Sequence, residues 1–239
     1  MDPGSAVRLL GSLAVSAPVA LNFHPDRGEW LRIGHDGSVP KSEQAPRIDA
    51  TLPEVRTERL DLRRFDDADL DELAEVFAQT EVWQFPFGRG FTRHESEEFL
   101  HRQMDHWSEV GFGCWVARTI DDGRIIGYLG LSVPTFLPEL LPAVEVGWRL
   151  APSVWGRGYA REGASAALEQ AFTTLGIDWV CSVPQAGNPA SARVAERLGM
   201  TFLREVAVAA NERRGAVTGL LYRIDRDDWL RSRPAVRRP

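Results

Sequence analysis

The chain carries Val144-Glu145-Val146-Gly147-Trp148-Arg149-Leu150 and, shortly after it, Trp155-Gly156-Arg157-Gly158-Tyr159-Ala160. In the first stretch Val144, Val146, Trp148 and Leu150 alternate with Glu145, Gly147 and Arg149, which is the period of a strand. Beyond the second, Ala164, Ala167, Leu168, Ala171 and Leu175 share one face of a helix that stops at Gly176. A glycine-bearing turn therefore joins a strand to a helix. Glycines there let backbone N–H groups come close to a ligand. The start of the helix adds partial positive charge, so the turn suits an anion such as a diphosphate. Arg157 adds a charge-assisted contact. Taken alone, the turn reads equally well as purely structural. It lacks the Gly-Lys-Ser/Thr ending of a P-loop and the third glycine of a dinucleotide fingerprint.

Outward from this turn the pattern is regular. Arg59-Leu60-Asp61-Leu62-Arg63 alternates as a strand. Asp66 caps a helix with Leu70, Leu73, Ala74 and Phe77 on one face, and Thr92 with Glu95 forms a capping box for a second helix to about Trp107. Gly113 to Thr119 and Arg124 to Val133 read as a hairpin through Asp121-Asp122-Gly123. Downstream come a strand from Ile177 to Val183 and a short helix opened by Asn188-Pro189 and ended at Gly199. A strand pair follows, Thr201 to Val208 and Val217 to Ile224. The order is strand, two helices, three strands, helix, strand, helix, two strands. It predicts an α/β (α+β) fold with a mixed sheet flanked by helices.

The organisation expected is an N-terminal extension and linker over residues 1–54, a domain over 55–230, and a basic tail over 231–239. In the extension, Gly28 to Ile33 reads as a short strand before an Asp36-Gly37 turn, and Lys41 to Pro53 as a linker. The residues after Trp229 read as a mobile tail.

The formal net charge of -6 argues against nucleic acid as the main partner. No apolar run approaches the ~18 residues that cross a bilayer, so no membrane partner is expected. Val7 to Phe23 is interrupted by Arg8, Ser12, Ser16 and Pro18 and reads as a poor signal peptide, so a cytoplasmic location is expected. The two cysteines, Cys114 and Cys181, have no metal spacing and read as small buried apolar residues. No metal is expected. A homodimer remains open.

Two neighbours sharpen the reading of the turn: Val144 to Leu150 upstream, and Asn188-Pro189-Ala190-Ser191-Ala192-Arg193-Val194-Ala195-Glu196-Arg197-Leu198-Gly199-Met200 downstream. With Arg56-Thr57-Glu58-Arg59-Leu60-Asp61-Leu62-Arg63 at the start, the chain resembles the GCN5-related N-acetyltransferase (GNAT) superfamily, in its RimJ/RimL-like branch of ribosomal-protein N-terminal acetyltransferases. The resemblance covers about Val55 to Asp225. It implies a mostly antiparallel central sheet flanked by helices, and acetyl-CoA as co-substrate.

The resemblance also implies residue roles. The CoA diphosphate turn falls on Trp155, Gly156, Arg157, Gly158, Tyr159 and Ala160, with Trp155 in place of the usual Gln or Arg. The pantetheine arm is expected along the main chain of Trp148, Arg149 and Leu150, with a backbone N–H near Leu150 as oxyanion donor. Asn188 is expected to bond the pantetheine, and Ser191 to lie near the thioester sulfur. The reaction implied is direct attack of a primary amine, from a protein N-terminus or a small molecule, on the acetyl carbonyl.

Glu145 is the candidate base, read equally as a solvated or salt-bridged strand carboxylate. Ser191 is the candidate proton donor to the thiolate, read equally as an ordinary first-turn serine. Tyr159 reads as packing. His94, His101 and His106 lack metal spacing and read as a polar helix face or a pocket wall. Trp83, Phe85 and Phe87 read as core or as a border of the acceptor site. A non-catalytic acyl-CoA-binding or interaction module on the same fold is the competing function.

Overall fold

The alternating segments pair as strands. The computed structural model describes residues 20–24, 29–33, 52–211 and 213–232. β1 (Ala20–His24) and β2 (Glu29–Ile33) form an antiparallel pair of their own. The main sheet has eight strands: β3 (Val55–Arg56), β4 (Leu60–Arg63), β5 (Cys114–Thr119), β6 (Ile125–Ser132), β7 (Val144–Leu150), β8 (Trp179–Ser182), β9 (Thr201–Val208) and β10 (Val217–Asp225). Their spatial order is β3-β4-β5-β6-β7-β8-β10-β9. All neighbours are antiparallel except β7 and β8. The sheet is therefore the mixed, mostly antiparallel one expected.

The helices start where the capping residues stand. Asp66 accepts from the Ala68 N–H at 2.9 Å and Asp69 accepts from the Asp66 N–H at 2.9 Å, opening a 3₁₀ turn that runs into α1 (Leu70–Phe77). The half-exposed Arg63 and the Arg118 guanidinium at 3.1 Å close on the fully buried Asp69, tying β4 and β5 to this helix start. A helical turn, α2 (Gln84–Phe87), comes next. Thr92 accepts from the Glu95 N–H at 3.2 Å and Glu95 from the Thr92 N–H at 2.8 Å, which opens α3 (Arg93–Val110). Later come α4 (Tyr159–Glu169), extended by a π-helical turn at Gln170–Thr174, and α5 (Pro189–Arg197).

Two expectations change. The chain up to Ser232 is helical: Arg226–Ser232 form α6, with Trp229 buried against Phe172 at 6.0 Å between ring centroids, and the rest of the tail expected after Trp229 lies outside the described residues. The Asp36-Gly37 turn and most of the Lys41 to Pro53 linker lie outside the described residues. Leu52 lies inside them, is buried in the main core, and donates its N–H to Gly111 O at 3.3 Å.

Cross-strand partners share a face of the sheet. Trp115, Leu129, Val146 and Val180 lie on one face and pack in a single core with Ala164, Leu168 and Phe172 of the α4 segment and Ala195 of α5. The opposite face carries two separate clusters. Cys114 and Val116 pack under α1 and α3, and Cys181, Val206 and Leu221 pack under Leu137 and Ala143 of the loop before β7. Between those clusters lies the Glu145–Gly147 part of β7.

α4 sits very close to the sheet. A Cβ at Gly163 would stand 2.2 Å from a methyl carbon of Leu129. We expect Gly163→Ala to lower stability by about 1–3 kcal/mol through overpacking. The cost should be less than additive with that of Leu129→Val, because the two sites share one space. Urea unfolding of the double-mutant cycle checks this, and strictly additive costs would contradict the close contact.

Candidate active site

β7 and β8 run side by side only at Val144↔Val180 and Glu145↔Cys181. Past Ser182 the chain stays with β10: Leu220 donates to Pro184 O at 2.8 Å, Ala186 donates to Thr218 O at 2.9 Å, and Gln185 bridges Gly219. β7 continues along β6 to Leu150. The two strands therefore part, and Gly147, Trp148, Arg149 and Leu150 lie beside an opened edge. Among the described residues, main-chain groups on that edge have no strand to pair with, which suits an extended amide-bearing ligand.

The turn closes one end of the cleft. Gly156 and Gly158 hold φ of +73° and +87°, the left-handed region that favours glycine. Gly158 caps α4 with no side-chain bond, so the first N–H groups of Tyr159 and Ala160 receive none from a capping residue. A Cβ at Gly156 would meet nothing within 4 Å. The open turn, the uncapped helix start and the exposed Arg157 beside it fit a diphosphate. Trp155, which stands where a Gln or Arg is usual, instead donates its indole N–H to Leu150 O at 2.7 Å. Tyr159 is buried, as the packing reading required.

Glu145 lies on the face shared by α1 and α3. Its neighbours there are Ser132 on β6 and Cys181 on β8. The residue is half-buried, and no ion pair holds its carboxyl among the described residues. Burial pushes its pKa up to about 7, against the weaker pull of the Val183 N–H and of the Ser132 hydroxyl at 3.4 Å. The salt-bridged alternative for Glu145 has no partner among the described residues. Both cysteines are free and buried, and burial pushes the Cys114 thiol up to about 12, so they are inert apolar residues here.

Next to Glu145 the floor has no side chains. Gly130 and Gly147 are cross-strand partners, and a Cβ at Gly147 would meet nothing within 4 Å. Tyr128 and Arg149, also partners, bound the far side. Arg149 lies over the Trp83 ring at 4.0 Å and donates to Phe85 O at 2.9 Å and to Val82 O. Its Nε is buried without a partner among the described residues. The Phe85 ring reaches across to Gly187, where a Cβ would lie 3.2 Å away. Glu145, the glycine floor, Arg149 and Phe85 therefore surround one space. Trp83 stacks on Phe91 at 3.7 Å, so its role is core packing, whereas Phe85 borders the cleft.

At the cleft's other side Asn188 Oδ1 accepts from the Ser191 N–H at 3.1 Å and caps α5. The carboxamide nitrogen of Asn188 and the hydroxyl of the half-buried Ser191 make no hydrogen bond among the described residues, so both stay available. His94 faces Glu97 and Glu98, and His101 faces Asp67 at 3.1 Å. His106 packs on Phe112, and burial lowers its pKa. No metal-holding group of these residue types occurs among the described residues.

The sequence profile of the acetyltransferase (GNAT) domain matches residues 59–201. The chain belongs to the GNAT acetyltransferase family. It is an acetyl-CoA-dependent acyltransferase. This acetyltransferase is 33% identical over 163 residues to the FsC-acetyl coenzyme A-N(2)-transacetylase of Aspergillus fumigatus, covering 64% of this chain and 67% of that one. It is 29% identical over 151 residues to YkkB of Bacillus subtilis, covering 63% and 86%. The solved acetyltransferase of Agrobacterium tumefaciens aligns with a TM-score of 0.57 and 30% identity over 72% of this chain and 94% of that one. A ribosomal-protein-serine acetyltransferase of Vibrio cholerae aligns at 0.62 with 17% identity over 74% and 99%, a likeness of fold alone.

The acetyltransferase's half-buried carboxyl bears on stability. The Glu145 pKa rises from 4.5 in the unfolded chain to about 7 in the fold. Stability contributed by this group therefore falls as pH rises from 4.5 to 7, and above 7 the half-buried carboxylate costs at most about 3 kcal/mol. We expect Glu145→Gln to stabilise the protein at pH 8, by up to that amount, and by roughly half as much at pH 5.5. Urea unfolding at the two pH values checks it; an equal effect at both would contradict the raised pKa.

Proposed function

We propose that the enzyme transfers the acetyl group of acetyl-CoA to a primary amine, with Glu145 as general base. The observation that supports this most is the Glu145 carboxyl, with a proton affinity near neutrality, set beside an open glycine floor where the strands part. An α-amine has a pKa of about 7.7–8.0, so a base near 7 is well matched to take its proton. A lysine amine, at about 10.4, asks more of the same base. The acceptor classes are a protein or peptide N-terminal α-amine and a small-molecule amine. The Aspergillus relative's name, an N(2)-transacetylase, supports an amine acceptor.

In this reading Glu145 removes a proton from the incoming ammonium. The amine nitrogen forms a bond to the acetyl carbon, the carbon–sulfur bond then breaks, and the proton left on the nitrogen passes to the thiolate to give the amide and free CoA thiol. A β7 main-chain N–H near Leu150 steadies the carbonyl oxygen as charge develops. The Ser191 hydroxyl donates a proton or hydrogen bond to the departing thiolate. Asn188, through its free carboxamide nitrogen, and the opened β7 edge hold the pantetheine. The Trp155 to Ala160 turn takes the diphosphate.

Thiol release from acetyl-CoA across a panel of amines tests the reading. We expect turnover to rise with pH through about 7 as Glu145 ionises, and then to level. Glu145→Gln should cut kcat by roughly a hundredfold and abolish this limb. Ser191→Ala should lower kcat with little change in CoA affinity. Unchanged rates and pH profile in both variants would remove the assigned roles.

A further inference from the structure

We propose that Arg59 is a positioning residue for the acetyl-CoA diphosphate: it fixes the turn at Gly158 and neutralises Glu162 in the first turn of α4. The inference rests on the turn being the acetyl-CoA site.

Glu162 lies one turn inside the helix whose start faces the cleft. An acidic residue suits a helix N-terminus, but the same charge opposes an entering phosphate. In this protein the carboxylate is fully occupied from a distant part of the chain. Its Oε1 accepts from the Thr57 hydroxyl at 2.5 Å and the Arg59 N–H at 2.8 Å. Its Oε2 accepts from Arg59 Nε at 2.7 Å and lies 2.6 Å from Arg59 Nη2. Burial alone would raise the Glu162 pKa; the bonds from Thr57 and Arg59 hold it below the usual carboxylate range.

The same guanidinium also shapes the turn. Nη1 donates to Arg157 O at 2.8 Å. Its plane lies 4.4 Å from the centroid of the Tyr159 ring. Nη2 stands 3.4 Å from the place a Gly158 Cβ would take. One side chain therefore touches Arg157, Tyr159 and Glu162 together and lies beside Gly158. Thr57 is itself pinned, donating its N–H to Leu60 O at 2.9 Å, so the anchor belongs to the rigid β3–β4 turn. Arg59 is 39% exposed, which leaves its charge within reach of the cleft's polar end. A lysine has no planar fork to hold both carboxylate oxygen and main-chain carbonyl.

The test compares acetyl-CoA with S-acetylpantetheine, which lacks the diphosphate. Arg59→Gln should raise KM for acetyl-CoA roughly tenfold, the worth of a charge-assisted bond, with kcat and the acceptor KM unchanged. Turnover of S-acetylpantetheine should not change, and Arg59→Lys should fall between. Arg59→Gln with Glu162→Gln should regain part of the loss, because the stranded carboxylate is gone. That double variant also carries the test if the single one does not fold. An unchanged acetyl-CoA KM, an equal loss with both donors, or a double variant as poor as the single would overturn the proposal. If the native protein turns over neither donor, acetyl transfer itself fails. CoA affinity of the same variants by calorimetry then decides the role of Arg59: unchanged affinity overturns it, and a tenfold loss upholds it.

Discussion

The site depends on how briefly β7 and β8 stay together. Two paired residues join them at Val144 and Glu145, and the sheet then divides. Had the ladder continued, the β7 main chain would be used up by a neighbouring strand. The division instead leaves polar backbone on an open edge and puts the last paired residue, Glu145, at the point of separation. β10 makes this possible by keeping hold of the chain after β8, through Pro184 and Ala186. The opening is thus built from regular hydrogen bonding on both sides.

That geometry also sets the electrostatics. Glu145 is close enough to the joined part of the sheet to lose water, and it lacks a cation that would hold it ionised. Among the described residues its donors are a serine hydroxyl and a main-chain N–H. The nearest cation on the same strand, Arg149, is turned to carbonyls of Val82 and Phe85 and to the Trp83 face. A carboxyl in such company keeps its proton to neutral pH. The sequence pattern placed Glu145 on the polar side of its strand, where water would ordinarily leave its pKa low.

Much of the fold was legible because local signals were strong. Both capping boxes, the Asp-Gly hairpin and the strand alternation of 144–150 depend on neighbours in the chain. α6 was not, because its anchor is Trp229 against Phe172, a contact made only after folding. At the site, the turn glycines and Glu145 were visible as types at the right spacing. The two uses of Asn188, cap and free carboxamide, were only half visible. The Thr57–Arg59–Glu162 contact was not visible, since it joins residues about a hundred positions apart. An Arg-rich first strand and a Glu one turn after the glycine turn were its only traces.

The two glycines of the floor differ in what they permit. A side chain at Gly130 would strike the Cys114 main chain at 2.6 Å, whereas one at Gly147 would meet nothing within 4 Å. Gly130 is therefore frozen by the sheet, and Gly147 is free to vary. An atom added at Gly147 would enter the open space beside Glu145. In the proposed reading, the size of the residue at this one position sets how bulky an amine can approach, and the sheet itself places no limit on it.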